Sequence, residues 1–505
     1  LLKKDGFVLE DAHKIANWNP YNPNTKSDWF DSKWMFGVLN FDLVIANPPY
    51  IQFQKTFTRQ HKYADIYKDE GYETFDRTSD LYALFYEKGL NSLKTKGVLC
   101  YITSNKWMRA KYGSSLRKFL ANRMPLKLID LGSGIFEAAT VDTNILLTQN
   151  SSSIKNKSSL KAVQLDHKTQ IEYPELLEFV DFKKLDEYSW IVLKPNEQSL
   201  KEKIEKKAIP LKHWNVRINY GIKTGYNKAF IVNGETKDQL IKEDPKSEEL
   251  LKPILRGKDI KRFKADFADL WLIATFPSKK INIDNYKAIN NYLFGFKPKI
   301  EQSGKIISDS DKKKIIKHAK YYGIEISFLK KEKSRKKTIN KWFETQDQIN
   351  YYKDFEKEKI IYPNMTKYLP FVFSDKGTLT NQKCFILTSN QKVTTKYLLG
   401  FFNSTLSKYW IKQNCPELQG GTRELSKVFF ELMPVLKVNN NLQAKMQEYV
   451  DQVLYKSDNN ESYKVEEFKI DVLVYKLYEL THEEVLIVDP AFGLSKQEYD
   501  NYIIE

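Results

Sequence analysis

Cysteine is scarce in this chain of 505 residues: Cys100, Cys384 and Cys415 lie far apart, are odd in number and form no CxxC pair. That excludes a disulfide framework and a thiolate zinc site. The six histidines never pair at ligand spacing, and His482-Glu483-Glu484 lacks the second histidine of a zinc-protease helix, so no metal ligands are expected. No apolar run approaches the roughly 20 residues needed to span a bilayer, and no secretory leader pattern is present. A membrane is therefore not an expected partner, and a reducing cytoplasm is the expected setting. Oligomeric state leaves no trace in the sequence.

What is abundant is positive charge. Lys and Arg total 81 against 64 Asp and Glu, a formal net of +17 with a pI near 9.2. This favours a polyanionic partner, although surplus lysine can also serve solubility. A hydrophobic content of 41% can build true cores, and the length implies two or three domains. Residues 311–341 hold 12 Lys or Arg against 3 Asp or Glu, a net of +9 inside the chain rather than in a tail. Such a block is either a solvated face or a phosphate-facing one.

Along the first 150 residues, strand and helix patterns alternate. "FDLVIANPPY" reads as a strand and turn, and "SDLYALFYEKGLNSLKTKG" has apolar residues at helical spacing and closes at Gly97. "VLCYITSN" reads as a strand, "SSLRKFLANRM" as a helix, and "LKLIDLG" and "NILLTQN" as strands. The pattern predicts an open α/β sheet with its ligands at the carboxyl ends of the strands. The polar stretch 150–159 marks a hairpin tip or linker. Residues 160–440 read as mixed α+β, and "EEFKIDVLVYKLYEL" gives the tail after 441 a helical stripe.

The turn at Asn47-Pro48-Pro49-Tyr50 carries the chemistry. Prolines cannot donate to a sheet ladder, so the strand ends there in a stiff turn. An exocyclic amine on a nucleobase is a poor nucleophile because its lone pair is delocalised into the ring. Two acceptors aimed at its protons, the Asn47 amide oxygen and the Pro48 carbonyl, would draw the nitrogen toward a tetrahedral form. Tyr50 can stack on a base that has left the duplex. The plain alternative is an Asn-Pro-Pro turn that merely ends a strand.

"NPPY" at a strand end resembles the signature of amino-group methyltransferases that use S-adenosylmethionine. "SDLYALFYEKGLNSLKTKGVLCYITSNKWM" and "GIFEAATVDTNILL" resemble the family's following elements in its order. The latter implies that Phe136 is the second stacking ring, with a core residue as the alternative. "INYGIKTGYNKAFIV", "LLKPILRGKDIKRF", "WFETQDQINYYKDFEKEKIIYPNM", "YLLGFFNSTLSKYWIKQ" and "VFFELMPV" resemble the target-recognition region of Eco57I-like Type IIG restriction–modification enzymes. The resemblance implies a site-specific DNA adenine-N6 methyltransferase acting on double-stranded DNA by base flipping. The alternatives are a protein glutamine-amide methyltransferase and a specificity module that is catalytically silent by itself.

The implied layout has three parts. Residues 1–155 form the catalytic half of a Rossmann-like methyltransferase sheet, 156–440 a mixed α+β target-recognition domain, and 441–505 a helical segment. The family's glycine-rich cofactor loop is not found before Asn47, so the amino-terminal cofactor half reads as missing and the chain as the carboxyl-terminal part of a larger protein. "VLIVDPAFG", 485–493, imitates that loop, but 12 residues after Gly493 leave no room for the rest of the cofactor half. Asp11 is the candidate contact to the cofactor's adenine. Mg²⁺ would enter only with an upstream nuclease domain. Candidate DNA contacts are Lys223 and Asn227 in "GIKTGYN" and Arg256, Lys258, Lys261 and Arg262 in "LRGKDIKR".

Overall fold

The computed structural model describes residues 4, 8–17, 32–53, 63–132, 134–136, 141–151, 160–165, 179–182, 185, 187, 190–325, 332–389, 395–416, 418 and 421–504. They divide into two compact units, Leu1–Lys194 and Pro195–Glu505.

The first unit is built on a six-stranded mixed sheet. Its strands are β1 (Phe41–Ala46), β2 (Leu93–Ser104), β3 (Met124–Gly132), β4 (Thr143–Gln149), β5 (Leu160–Gln164) and β6 (Val180–Phe182). The spatial order is β1-β2-β4-β3-β5-β6, with β1 parallel to β2, β3 parallel to β5, and β4 antiparallel to both of its neighbours. The carboxyl ends of β1, β2 and β3 therefore share one edge. Alternation along the strands divides the sheet's faces. Leu99, Tyr101, Leu128 and Leu146 are buried on one face with Tyr86 and Leu90 of the helix Tyr82–Asn91 and Leu116 and Leu120 of the helix Ser114–Ala121. Cys100, Ile102, Ile129, Ile145 and Leu147 are half-exposed.

One element departs from the sequence reading. The helix ends at Asn91, not at Gly97, and residues 93–97 already belong to β2. The reason is tertiary: the amide of Phe41 donates to the Ser92 carbonyl at 3.0 Å and Leu93 pairs with Phe41, so β1 captures the segment before the helix can continue. The register then jumps, with Leu43 opposite Val98 and Lys96 in the left-handed region at φ 68°.

The second unit carries two four-stranded sheets. One joins Val216–Tyr220, Cys384–Ser389, Lys359–Pro363 and Val372–Ser374. The other joins Ile231–Asn233, Leu270–Ile273, Leu251–Leu255 and Leu379–Thr380. The helices Thr395–Asn403, Asn440–Asp458 and Lys464–Leu477 pack on the first of these through Phe401, Phe402, Val450, Val453 and Leu473. The segment 485–493 begins in the helix His482–Val488 and continues as a turn, with no strand.

Leu146 is fully buried on the strand that joins β2 to β3. Leu146→Ala should cost about 2–5 kcal/mol, read as a lowered midpoint of urea unfolding.

Candidate functional site

The edge that holds Asn47–Tyr50 follows from a difference in strand length. Ala46, the last residue of β1, pairs with Tyr101, while β2 runs on to Ser104. The overhang forms a ledge beside Asn47–Tyr50. Pro48 is buried, Asn47 and Pro49 are exposed, and Tyr50 is half-buried. The Tyr50 hydroxyl donates to the Ile102 carbonyl at 3.4 Å, and its ring meets Tyr82 edge-on at 6.2 Å. Burial raises the phenol above its ordinary value, which keeps the hydroxyl protonated at neutral pH. Beyond the turn, Gln52 bridges to Asp80 and the Leu81 amide donates to the Ile51 carbonyl at 2.8 Å, so both ends of the turn are held.

Further along the same edge, Asn144 accepts at Oδ1 from Thr103 Oγ1 and from Trp107 Nε1, both at 3.1 Å. Asp130, 2% exposed, ends β3 as a second node. Its carboxylate accepts from Asn105 Nδ2 at 2.9 Å and from the Gly132 amide at 3.3 Å, with Arg109 Nη2 at 3.9 Å. The Asn105 amide in turn donates to the Asp142 carbonyl at 2.9 Å, which ties the turn after β2 to the entry of β4. Phe136 is half-buried between β3 and β4 in the chain, leaving β3 at this edge. Asn105, Asp130 and Asn144 were not among the expected site residues. The sequence signal for Asp130 was a carboxylate in an otherwise apolar strand, "LKLIDLG".

Asp11 falls within the helix Leu9–Ala16, and its side chain lies outside the described residues. Most of 150–159 also lies outside them. Among the described residues, no group of three or more His, Cys, Asp or Glu could hold a metal ion, and no helix is long and apolar enough to cross a membrane.

In the second unit the expected DNA contacts separate into two kinds. Lys223, Lys258 and Lys261 are exposed. Arg256 instead makes paired hydrogen bonds to Asp259 at 2.9 and 2.8 Å, and Arg262 pairs with Glu467 at 2.5 Å and donates to the Asn403 carbonyl at 2.5 Å. Asn227 is exposed, and its Oδ1 accepts from Thr224 Oγ1 at 2.7 Å. Arg335, from the basic stretch 311–341, is buried. It donates to the carbonyls of Thr224 and Ile300 at 2.6 Å and to those of Trp342 and Glu344 at 2.9 and 2.8 Å. Burial pulls its guanidinium down to about 9. A cavity of 610 Å³ opens beside it, lined by Tyr226, Lys228, Lys299 and Lys333 among others. From the basic stretch, Arg335 thus serves as a scaffold cation, and both Lys333 and Arg335 line the cavity. The helix Asp309–Tyr321 holds Lys312 and Lys314 in pairs with its own Asp309 and Asp311.

Two outcomes test this geometry. Burial raises the Asp130 carboxyl, partly offset by Asn105, Arg109 and Gly132. A carboxyl raised on folding contributes stability that is full below its unfolded value, near 3.8, and is lost as pH rises through the folded value. Asp130→Asn should therefore flatten the fall in unfolding free energy upward from 3.8, measured by urea titration across pH. Gly225 has φ +80°, and an added Cβ would sit 2.5 Å from Gln346 Oε1 and 2.7 Å from Arg335 Cδ. Gly225→Ala should displace the loop and lower the midpoint of urea unfolding, with the far-UV circular dichroism unchanged.

Comparison with known proteins gives these sites their context. Residues 4–136 match the Eco57I restriction-modification methylase family, and residues 252–435 match the TaqI-like C-terminal specificity domain. The first match contains Asn47–Tyr50 and Phe136, and the second contains Arg256–Arg262. The Type II methyltransferase M.BstVI of Geobacillus stearothermophilus is 23% identical over 488 residues, covering 90% of this chain and 76% of that protein. The Type II restriction enzyme and methyltransferase RM.Eco57I of Escherichia coli is 36% identical over 108 residues, 21% of this chain and 11% of that one. The Type IIL restriction-modification enzyme MmeI, solved in complex with DNA, shares the fold over 91% of this chain and 56% of its own, with TM-score 0.51 and 14% identity. The chain thus spans about half the length of MmeI. Residues 4–136 are therefore an Eco57I-like restriction–modification methylase region, followed in the sequence by a TaqI-like specificity region over residues 252–435.

Proposed function

We propose that the whole protein methylates the N6 amine of adenine at a specific site in double-stranded DNA, after the base has turned out of the helix. The observation that carries this reading is the Asn47–Tyr50 turn on its ledge: an exposed amide and a rigid carbonyl stand next to a ring fixed by hydrogen bond and edge contact. Asn47 Oδ1 and the Pro48 carbonyl accept from the two amine protons and orient the nitrogen lone pair toward the methyl donor. Tyr50 and Phe136 stack on the two faces of the base, offsetting the few kcal/mol that unstacking costs. No side chain need remove a proton first, because the amine becomes acidic only as it gains the methyl group. The proton then leaves from a nitrogen whose hydrogen bonds run to Asn47 and Pro48.

S-adenosylmethionine, the methyl donor of this methyltransferase family, supplies an electrophilic methyl when bound. Among the described residues no glycine-rich turn after a strand precedes Asn47, where the family carries its cofactor loop. Two observations support a cofactor half seated against this sheet in a Rossmann-like arrangement. β1 is an edge strand with Leu43 and Ile45 53% and 68% exposed, and the face bearing Cys100, Ile102, Ile129, Ile145 and Leu147 is half-open. An apolar edge of this kind is a ready template for another strand.

We assign target recognition to 156–440, with Lys223, Lys258 and Lys261 on phosphates and Arg256 and Arg262 shaping the loops that present them. The tail 441–505 braces that region through Glu467 on Arg262. Asn47→Ala should abolish methyl transfer by the whole protein to mixed-sequence DNA while leaving duplex affinity within about tenfold. Tritium from labelled S-adenosylmethionine reads the first, and anisotropy reads the second. Transfer at the unmodified rate would return the turn to a mere strand terminator.

A further inference from the structure

Two short 3₁₀ turns, Asn105–Met108 and Lys111–Gly113, follow β2 at the reactive edge. The first carries Lys106, the second Lys111, and Arg109 lies between them, so three cations fall within six residues with no carboxylate between Asn105 and Gly113. Lys106 and Lys111 are exposed, and among the described residues neither has a carboxylate within ion-pair distance. Arg109, 24% exposed, faces the buried Asp130 from 3.9 Å. Arg109 thus has a carboxylate partner, while the charges of Lys106 and Lys111, five residues apart, stand without one among the described residues.

The backbone beneath these cations is built to stay in place. Trp107 and Met108 are buried, and the Met108 carbonyl accepts from the Trp190 amide at 2.8 Å. Arg117, itself 1% exposed, donates to the carbonyls of Trp107 and Ala110. The two turns pack so tightly that a Cβ on Gly113 would lie 2.1 Å from the Trp107 carbonyl oxygen. The crest is also joined to the amine-orienting turn. Tyr112 donates to Asp80 at 3.4 Å, and Asp80 bridges to Gln52, two residues after Tyr50.

We propose that this crest is a backbone-phosphate site. Lys106, Arg109 and Lys111 hold the sugar–phosphate strand that flanks the nucleotide turned toward Asn47 and Tyr50. The occupant is a nucleic-acid strand rather than a single small anion, because the cations are strung along two successive turns of the chain. The inference rests on the DNA-methylation reading of the same edge and adds to it a grip on the duplex within the methylase unit, separate from the specificity domain.

Counterion release tests it. Each phosphate contact contributes about −0.9 to the slope of log affinity against log salt concentration. The 505-residue chain would be titrated onto a labelled duplex of arbitrary sequence at several salt concentrations. K106A/K111A should make the slope shallower by about 1.8. K88A/K94A, at the opposite edge of the sheet, should leave it unchanged. The single variants K106Q and K111Q, each expected to lose about 0.9, keep the test open if the double variant does not fold. An unchanged slope for the crest variants, or an equal loss in the control pair, would overturn the phosphate site while leaving the DNA reading intact. Failure of the unaltered chain to bind any duplex would overturn the DNA reading and this inference together.

Discussion

The parallel pairing of β1 with β2 is the constraint on which the candidate site depends. With Ala46 opposite Tyr101, β2 extends three residues past the end of β1. The prolines cannot continue the ladder, so the chain turns against this overhang, and Tyr50 reaches the Ile102 carbonyl. A slip of one residue would move every side chain of β1 to the opposite face and carry the turn off its ledge. The register is held from both ends: Phe41 bonds to Ser92 at the start, and the Gln52–Asp80 bridge closes the far side of the turn.

The same edge gathers buried polar groups that an ordinary core would avoid. Thr103 and Trp107 both donate to Asn144 Oδ1 behind the ledge, while Asp130 draws in Asn105, Gly132 and Arg109. Such groups cost stability when left unpaired, and paired they specify one arrangement of the loops around them. Here they link residues at the carboxyl ends of β2 and β3 with the start of β4, so the turns at this edge are positioned by the strands rather than by their own propensities.

Charge is divided between scaffold and surface along the side-chain types. Arg256, Arg262 and Arg335 spend their planar, multi-donor guanidinium groups on carboxylates and backbone carbonyls inside the second unit. Lys223, Lys258 and Lys261 remain exposed. This is the division that their hydration favours, since guanidinium is the more weakly hydrated cation and satisfies several acceptors at once. A net charge of +17 is therefore not a uniform coat, and part of it serves to shape loops.

Short-range physics made much of this protein legible in its sequence. Prolines at 48 and 49 had to end β1, and the apolar periodicity of 82–91 and 114–121 had to form helices against a sheet. The NPPY turn and the ordered segments after it carried the family with them. What the sequence left open depended on partners distant along the chain. The helix stops at Asn91 because Phe41, fifty residues earlier, claims Ser92 and Leu93. Arg262, a candidate DNA contact in the sequence, is paired with Glu467 two hundred residues later, and Asp130 gained its place only when β2 and β3 brought Asn105 and Arg109 beside it. Local patterns specify elements because backbone sterics and hydrophobic period act over a few residues. The fate of a charge is decided by which groups the completed fold sets within hydrogen-bonding reach.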